Sequence, residues 1–136
     1  MKAGGATQPS GEPALILFAH GSRDPEWALP FRHIQRSIKA VREDLVVELA
    51  FLESSEPALE ETITRLVGAG HQNVTIVPLF MAQGGHLKQD LPRIIDALRA
   101  DHPGIQISVL PPIGEVPAIL DAISGWIVSA THSSGV

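Results

Sequence analysis

The chain has no cysteine among its 136 residues, and that absence excludes disulfides, iron–sulfur clusters and thiolate metal sites. Any metal must be held by histidine, aspartate, glutamate or solvent. Positive charge is also scarce: Lys and Arg total 10 against 15 Asp and Glu, a formal net charge of −5. A nucleic-acid surface needs a basic stripe, often interleaved with stacking aromatics. Aromatics are only 4% of the residues and no basic cluster exists, so nucleic acid is not an expected partner. No apolar run approaches the roughly 20 residues that span a bilayer, so no membrane role is expected. Met1–Pro13 is small and polar and lacks the apolar stretch of a secretory signal. It reads as a disordered arm (1–13), residues 130–136 read as a flexible tail, and the expected location is the cytoplasm.

Between those ends, residues 14–129, four apolar runs alternate with four helical patterns. The first run, Ala14 to Ala19, is continuous, as expected of a strand covered on both faces. Trp27, Phe31, Ile34, Ile38 and Val41 then follow the three–four spacing of an amphipathic helix. The second run is Val46 to Leu52. Ser55-Glu56-Pro57 behind it reads as an N-cap with proline in the first turn, opening a helix with Leu59, Ile63, Leu66 and Val67 on its apolar face. The third run, Val74 to Phe80, contains Pro78, which fits best at the strand end, where a lost donor matters least. A glycine-containing loop leads to a helix with Leu91, Ile94, Ile95 and Leu98. The fourth run, Ile105 to Leu110, ends at Pro111-Pro112, and a last helix carries Val116, Ile119, Leu120, Ile123 and Ile127. This alternation implies right-handed βαβ units. The expected fold class is α/β, a single doubly wound domain with a four-stranded parallel sheet flanked by helices.

In open α/β sheets ligands bind beyond the carboxyl ends of the strands, which selects the loops after the four runs. His20 falls directly after the first run, Glu53 after the second, and His86 in the loop 81–90 after the third. Two imidazoles and a carboxylate thus share one edge of the sheet, and both side-chain types suit Co²⁺, Ni²⁺, Fe²⁺ and Zn²⁺. Blander roles stand beside this reading: a histidine at a strand end commonly bonds its own loop, and Glu53 is also placed to cap a helix. His33, His71, His102 and His132 fall on a helix surface, in turns at the opposite edge or in the tail, and carry no site. Ser22 beside His20 invites a nucleophile reading, but the Gly-x-Ser-x-Gly elbow of α/β hydrolases is absent. Gly84-Gly85 lacks the rest of a phosphate-binding loop; these glycines fit better as room for backbone to approach a large flat ligand.

Two segments, Leu17-Phe18-Ala19-His20-Gly21-Ser22-Arg23-Asp24-Pro25 and Pro78-Leu79-Phe80-Met81-Ala82-Gln83-Gly84-Gly85-His86-Leu87-Lys88-Gln89-Asp90-Leu91-Pro92, together with Phe51-Leu52-Glu53, resemble the class II tetrapyrrole chelatases, in particular the small, half-length sirohydrochlorin cobaltochelatases. The resemblance runs from Pro13 to about Ile127. His-Gly-Ser alone is a weak signal; combined with Gly-His-x-x-x-Asp-x-Pro in this strand context it is strong. It implies insertion of a divalent metal, Co²⁺ first and Fe²⁺ or Ni²⁺ as alternatives, into sirohydrochlorin on the way to cobalamin or siroheme, with the metal as substrate and no organic cofactor. It implies metal-site and catalytic roles for His20 and His86, with Glu53 as the acidic residue that completes the site in longer relatives. Those relatives hold the substrate between two such domains, so the resemblance also implies a homodimer. Arg23 and Lys88 lie beside the two histidines, placed either to pair with the carboxylates of sirohydrochlorin or to stand as solvated surface charges; Ser22 and Gln83 are placed to hydrogen-bond to carboxylates or the ring edge, with Gly84 and Gly85 leaving room for the ring. A metal or tetrapyrrole carrier on the same fold, and a small hydrolase using Ser22, are the competing readings.

Overall fold

The computed structural model describes residues 13–133; the expected arm, apart from Pro13, and the last three residues of the expected tail lie outside that range. The elements run β1 (Ala14–Ala19), a 3-10 turn (Pro25–Ala28) opening into α1 (Leu29–Val41), β2 (Val47–Phe51), α2 (Leu59–Gly68), β3 (Asn73–Pro78), α3 (Gly85–Asp101), β4 (Gln106–Val109), a second 3-10 turn (Ile113–Glu115) and α4 (Pro117–Ser133). The strands form one parallel sheet in the order β2-β1-β3-β4. The helical pattern continues through residues 131–133, into the segment whose composition reads as a tail.

Strand β1 explains the layering. Its even-numbered side chains, Ala14, Ile16 and Phe18, enter a core with Ile63 and Leu66 of α2 and Leu91, Ile95 and Leu98 of α3. Leu17 and Ala19 point the other way and join Val47, Leu49 and Phe51, with Trp27, Phe31 and Ile38 packed against them. One strand that feeds two cores has to be apolar at every position. Each fully buried aliphatic or aromatic side chain contributes roughly 1.5–3 kcal/mol. Pro78 is the last residue of β3, where its missing N–H costs no ladder bond further along.

One boundary differs from expectation. Ser55 does not cap α2: residues 52–57 form a bend containing a cis Glu56–Pro57 bond, and Ala58 is the N-cap. The Ala58 N–H donates to Glu61 Oε1 at 3.1 Å, the carboxylate half of a capping box. The hydroxyl of Ser55 is used in a longer-range contact, described below.

The chain steps from β2 on one side of β1 to β3 on the other. Loops leaving β1 and β3 therefore diverge, and the crevice outside their carboxyl ends is where such sheets bind ligands. His20 is the residue after β1, and the loop carrying Met81 to Gly84 follows β3.

Candidate metal and tetrapyrrole site

Backbone geometry brings the loops after β1 and β2 together before any side chain acts. The N–H groups of Leu52 and Glu53 donate to the carbonyls of Ala19 and His20 at 2.9 and 3.0 Å, extending the ladder past the strands. Gly21 makes this possible. Its φ is +103°, and a Cβ there would lie 1.7 Å from the Glu53 carbonyl oxygen, so only glycine fits both the conformation and the gap. Ser55 closes the junction: the Ser22 N–H donates to its Oγ at 3.0 Å, and that hydroxyl donates back to the Ser22 carbonyl at 2.7 Å. The Asp24 N–H donates to Ser22 Oγ, and Asp24 caps the following 3-10 turn.

The result is a side-chain pair. His20 Nε2 lies 3.0 Å from Glu53 Oε2, with the two side chains 54% and 63% exposed. A pair this exposed adds at most about 1 kcal/mol to stability, so folding gives little reason for it. Chemically it is more informative. Metal–nitrogen and metal–oxygen bonds of about 2.0–2.2 Å put two cis ligands at 90° about 3.0 Å apart. The shared proton of this pair and a divalent ion thus call for the same spacing.

The imidazole is also seated from behind. Its ring meets the edge of Phe80 at a centroid distance of 6.4 Å, and Phe80 meets Phe18 at 5.7 Å. The Gly114 N–H donates to the Phe80 carbonyl at 3.1 Å, and a Cβ on Gly114 would lie 1.5 Å from the Met81 carbonyl oxygen. A cavity of about 380 Å³ opens beside the pair, walled by Leu52, Phe80, Leu87 and Ile94 and rimmed by Ala82, Gly84 and Asp90. It joins the His20–Glu53 pair and Asp90 to an apolar wall, a combination suited to a ligand with both apolar and polar parts.

His86 is not in a loop. Helix α3 begins at Gly85, so His86 stands in its first turn, between Gly84 and Leu87 of the cavity. Asp90, which sequence reasoning left without a role, lines that cavity one helical turn further on. The i, i+4 relation to His86 was the signal for it, hidden while 81–90 reads as loop. Among the described residues, no three His, Asp or Glu side chains cluster as a ready metal site; His20 and Glu53 make two.

The residues expected around the substrate divide. Gly84 is on the cavity rim. A Cβ at Gly84 or Gly85 would meet no atom within 4 Å, and neither has a positive φ. Among the described residues, nothing demands these glycines. Gln83 and Lys88 line a neighbouring hollow of about 290 Å³ between α3 and Val109. Arg23 is exposed on the β1 loop, and Ser22 is engaged with Ser55 and Asp24.

Against known proteins, residues 14–129 match the CbiX family. The chain belongs to the CbiX family. A relative from Methanosarcina acetivorans, named sirohydrochlorin cobaltochelatase, is 30% identical over 116 residues, covering 80% of this chain and 89% of its own. One of the same name from Methanococcus maripaludis is 34% identical over 91 residues, covering 67% of this chain and 63% of its own length. The matched stretch therefore spans less than two thirds of that relative. The crystal structure of a CbiX protein from Marinobacter aquaeolei superposes with a TM-score of 0.79 at 33% identity, covering 93% of this chain and all of the other. The sirohydrochlorin chelatase SirB from Bacillus subtilis, solved with cobalt, gives a TM-score of 0.72 at 28% identity, covering 88% of this chain but 51% of its own. This CbiX-family chain thus spans about half the length of SirB.

Proposed function

We propose that this chain is a sirohydrochlorin metal chelatase, an enzyme that inserts a divalent ion, Co²⁺ first and Fe²⁺ or Ni²⁺ as alternatives, into the ring. The observation that carries the reading is the exposed His20–Glu53 pair, 3.0 Å apart at the mouth of an apolar-walled cavity at the sheet's switch point. Relatives named sirohydrochlorin cobaltochelatase support the substrate and the preference for cobalt.

Insertion breaks two pyrrole N–H bonds and binds the ion through the four ring nitrogens, releasing two protons. The pair is suited to both halves of that exchange. Imidazole and carboxylate take the incoming ion in place of their shared proton, then accept protons from the ring as the ion leaves them. His86, in the first turn of α3, is the second imidazole of the proposed site. Arg23 and Lys88 pair with ring carboxylates, Ser22 and Gln83 hydrogen-bond to the ring's edge, and Gly84 and Gly85 leave room for it. This chain covers about half of SirB, so two copies make up the length of that one chain, and the working form in this proposal is a homodimer. A cytoplasmic location belongs to the same proposal.

The test is an anaerobic absorbance time course with sirohydrochlorin and each ion in turn. A protein-dependent conversion to the metallated spectrum supports the enzyme; a rate equal to the protein-free control, with ion or ring still bound, supports a carrier and refutes it.

A further inference from the structure

The first turns of α3 stand between two hollows of unlike character. Gly84, Leu87, Asp90 and Ile94 line the cavity of about 380 Å³ that holds His20 and Glu53. Gln83, Lys88, Leu91 and Ile95 line the second hollow, of about 290 Å³, together with Val109 of β4. Residues three and four apart share a helix face, so one short stretch of α3 walls both. The charges differ in sign. The first cavity brings the carboxylates of Glu53 and Asp90 to its imidazole. The second brings Lys88 and Arg99 against a single acid, Asp96. Arg99 is committed: its guanidinium donates to the Ile107 carbonyl at 2.8 Å and lies 3.6 Å from Asp96. Lys88 is exposed, and among the described residues its ammonium has no partner.

The barrier between the hollows is low. A helix with its side chains is about 10–12 Å across, but its Cα atoms lie only about 2.3 Å from the axis. At Gly84-Gly85 there is bare backbone, and a Cβ on either residue would meet no atom within 4 Å. A ligand lying across the turn, with parts in both hollows, gives these glycines a reason. A flat ring centred on the His20–Glu53 pair extends past the cavity, and its rim carries carboxymethyl and carboxyethyl arms. An acid arm is repelled by Glu53 and Asp90 and drawn toward Lys88. A carboxyethyl arm has an apolar stem and a charged tip. The second hollow has the same division, with Leu91, Pro92, Ile95 and Val109 as wall and Lys88 and the half-buried Gln83 as its polar groups.

We propose that the hollow between α3 and β4 is the subsite for one carboxyethyl arm of the tetrapyrrole. The ring edge crosses the helix turn at Gly84-Gly85. The two methylenes of the arm lie on Leu91, Pro92, Ile95 and Val109, and Lys88 pairs with the carboxylate. The subsite fixes which way round the ring lies over the His20–Glu53 pair, and it selects rings that carry an acid arm at that corner. The inference rests on the tetrapyrrole reading of the proposed function and names the group that this part of the chain recognises.

The test measures binding of metal-free sirohydrochlorin to the full chain under anaerobic conditions, by quenching of tryptophan fluorescence. Lys88→Met keeps the stem and removes the charge, and its dissociation constant is expected to rise about tenfold. Lys88→Arg is expected to restore binding. Lys39→Met, which removes one charge from α1, is expected to change nothing. Val109 is 38% exposed, so Val109→Phe has room to fill the hollow without disturbing the core, and it is expected to weaken binding about tenfold with unchanged circular dichroism. In about 1 M salt, where charges are screened beyond about 3 Å, Lys88→Met and the unaltered chain are expected to converge. Co²⁺ affinity without the ring is expected to be the same in all variants. Coproporphyrin, whose acid arms are all carboxyethyl, is expected to compete for the site and to lose affinity in Lys88→Met. The proposal is overturned if Lys88→Met or folded Val109→Phe binds sirohydrochlorin as tightly as the unaltered chain. An equal loss in Lys39→Met also overturns it, because the effect is then one of net charge alone. So does coproporphyrin that fails to compete or that Lys88→Met leaves unaffected. These results leave the tetrapyrrole reading standing; an unaltered chain that does not bind sirohydrochlorin at all overturns both.

Discussion

Replacing Gly21 with alanine tests how the site is assembled. The new Cβ would sit 1.7 Å from the Glu53 carbonyl oxygen, where real contacts do not fall below 3.0 Å. The loops after β1 and β2 must therefore part by about 1.3 Å, or the backbone must leave φ +103°. The left-handed conformation alone costs an alanine about 1–2 kcal/mol. The forced separation also strains the Glu53 N–H to His20 carbonyl bond, worth about 1 kcal/mol. A total of about 2–3 kcal/mol is expected in urea denaturation. The consequence for the site is sharper. A 1.3 Å displacement takes His20 Nε2 and Glu53 Oε2 from 3.0 Å to about 4 Å, beyond the spacing of cis ligands on one ion. Co²⁺ binding, read by its visible absorption, is expected to weaken by at least tenfold in protein that is still folded. If Gly21→Ala loses less than about 0.5 kcal/mol and binds Co²⁺ as before, the two loops do not depend on this contact and the assembly described here is wrong.

Other substitutions separate the parts. Ser55→Ala removes both bonds to Ser22 and is expected to lower the denaturation midpoint by the equivalent of about 1–2 kcal/mol; an unchanged midpoint would show the junction to be ornamental. Glu53→Gln keeps a hydrogen-bonding partner for His20 but removes the charge, and a 10- to 100-fold loss of Co²⁺ affinity is expected by titration. Gly85→Ala adds a Cβ into open space on the first residue of α3. Stability should hold or rise by up to about 1 kcal/mol, while the KM for sirohydrochlorin rises if the ring passes over this turn. Lowering the pH should weaken Co²⁺ binding, since protons compete with the ion for imidazole and carboxylate; pH-independent affinity would point to ligands other than this pair.

Much of the fold was legible because β1 is apolar at consecutive positions and the helices between strands keep their three–four spacing. His20 and Glu53 were legible as neighbours because strand ends in a parallel sheet share an edge. What escaped notice depended on long-range contact. Ser55 looks like a cap from its neighbours alone, and its partner is Ser22, 33 residues away. The start of α3 was set too late because Gly84-Gly85 reads as loop, and with it the relation of Asp90 to His86 was lost. The apolar stripe of α4 was plain, but a stripe says only that something covers the helix. That its own sheet does not is a tertiary fact.

The most direct measurement follows sirohydrochlorin and Co²⁺ anaerobically with the unaltered chain and with His20→Ala, both confirmed as folded by circular dichroism. If His20 and Glu53 pass the ion to the ring, the unaltered chain accelerates metallation and His20→Ala falls to the protein-free rate. Full activity in folded His20→Ala would mean the ion reaches the ring by another route.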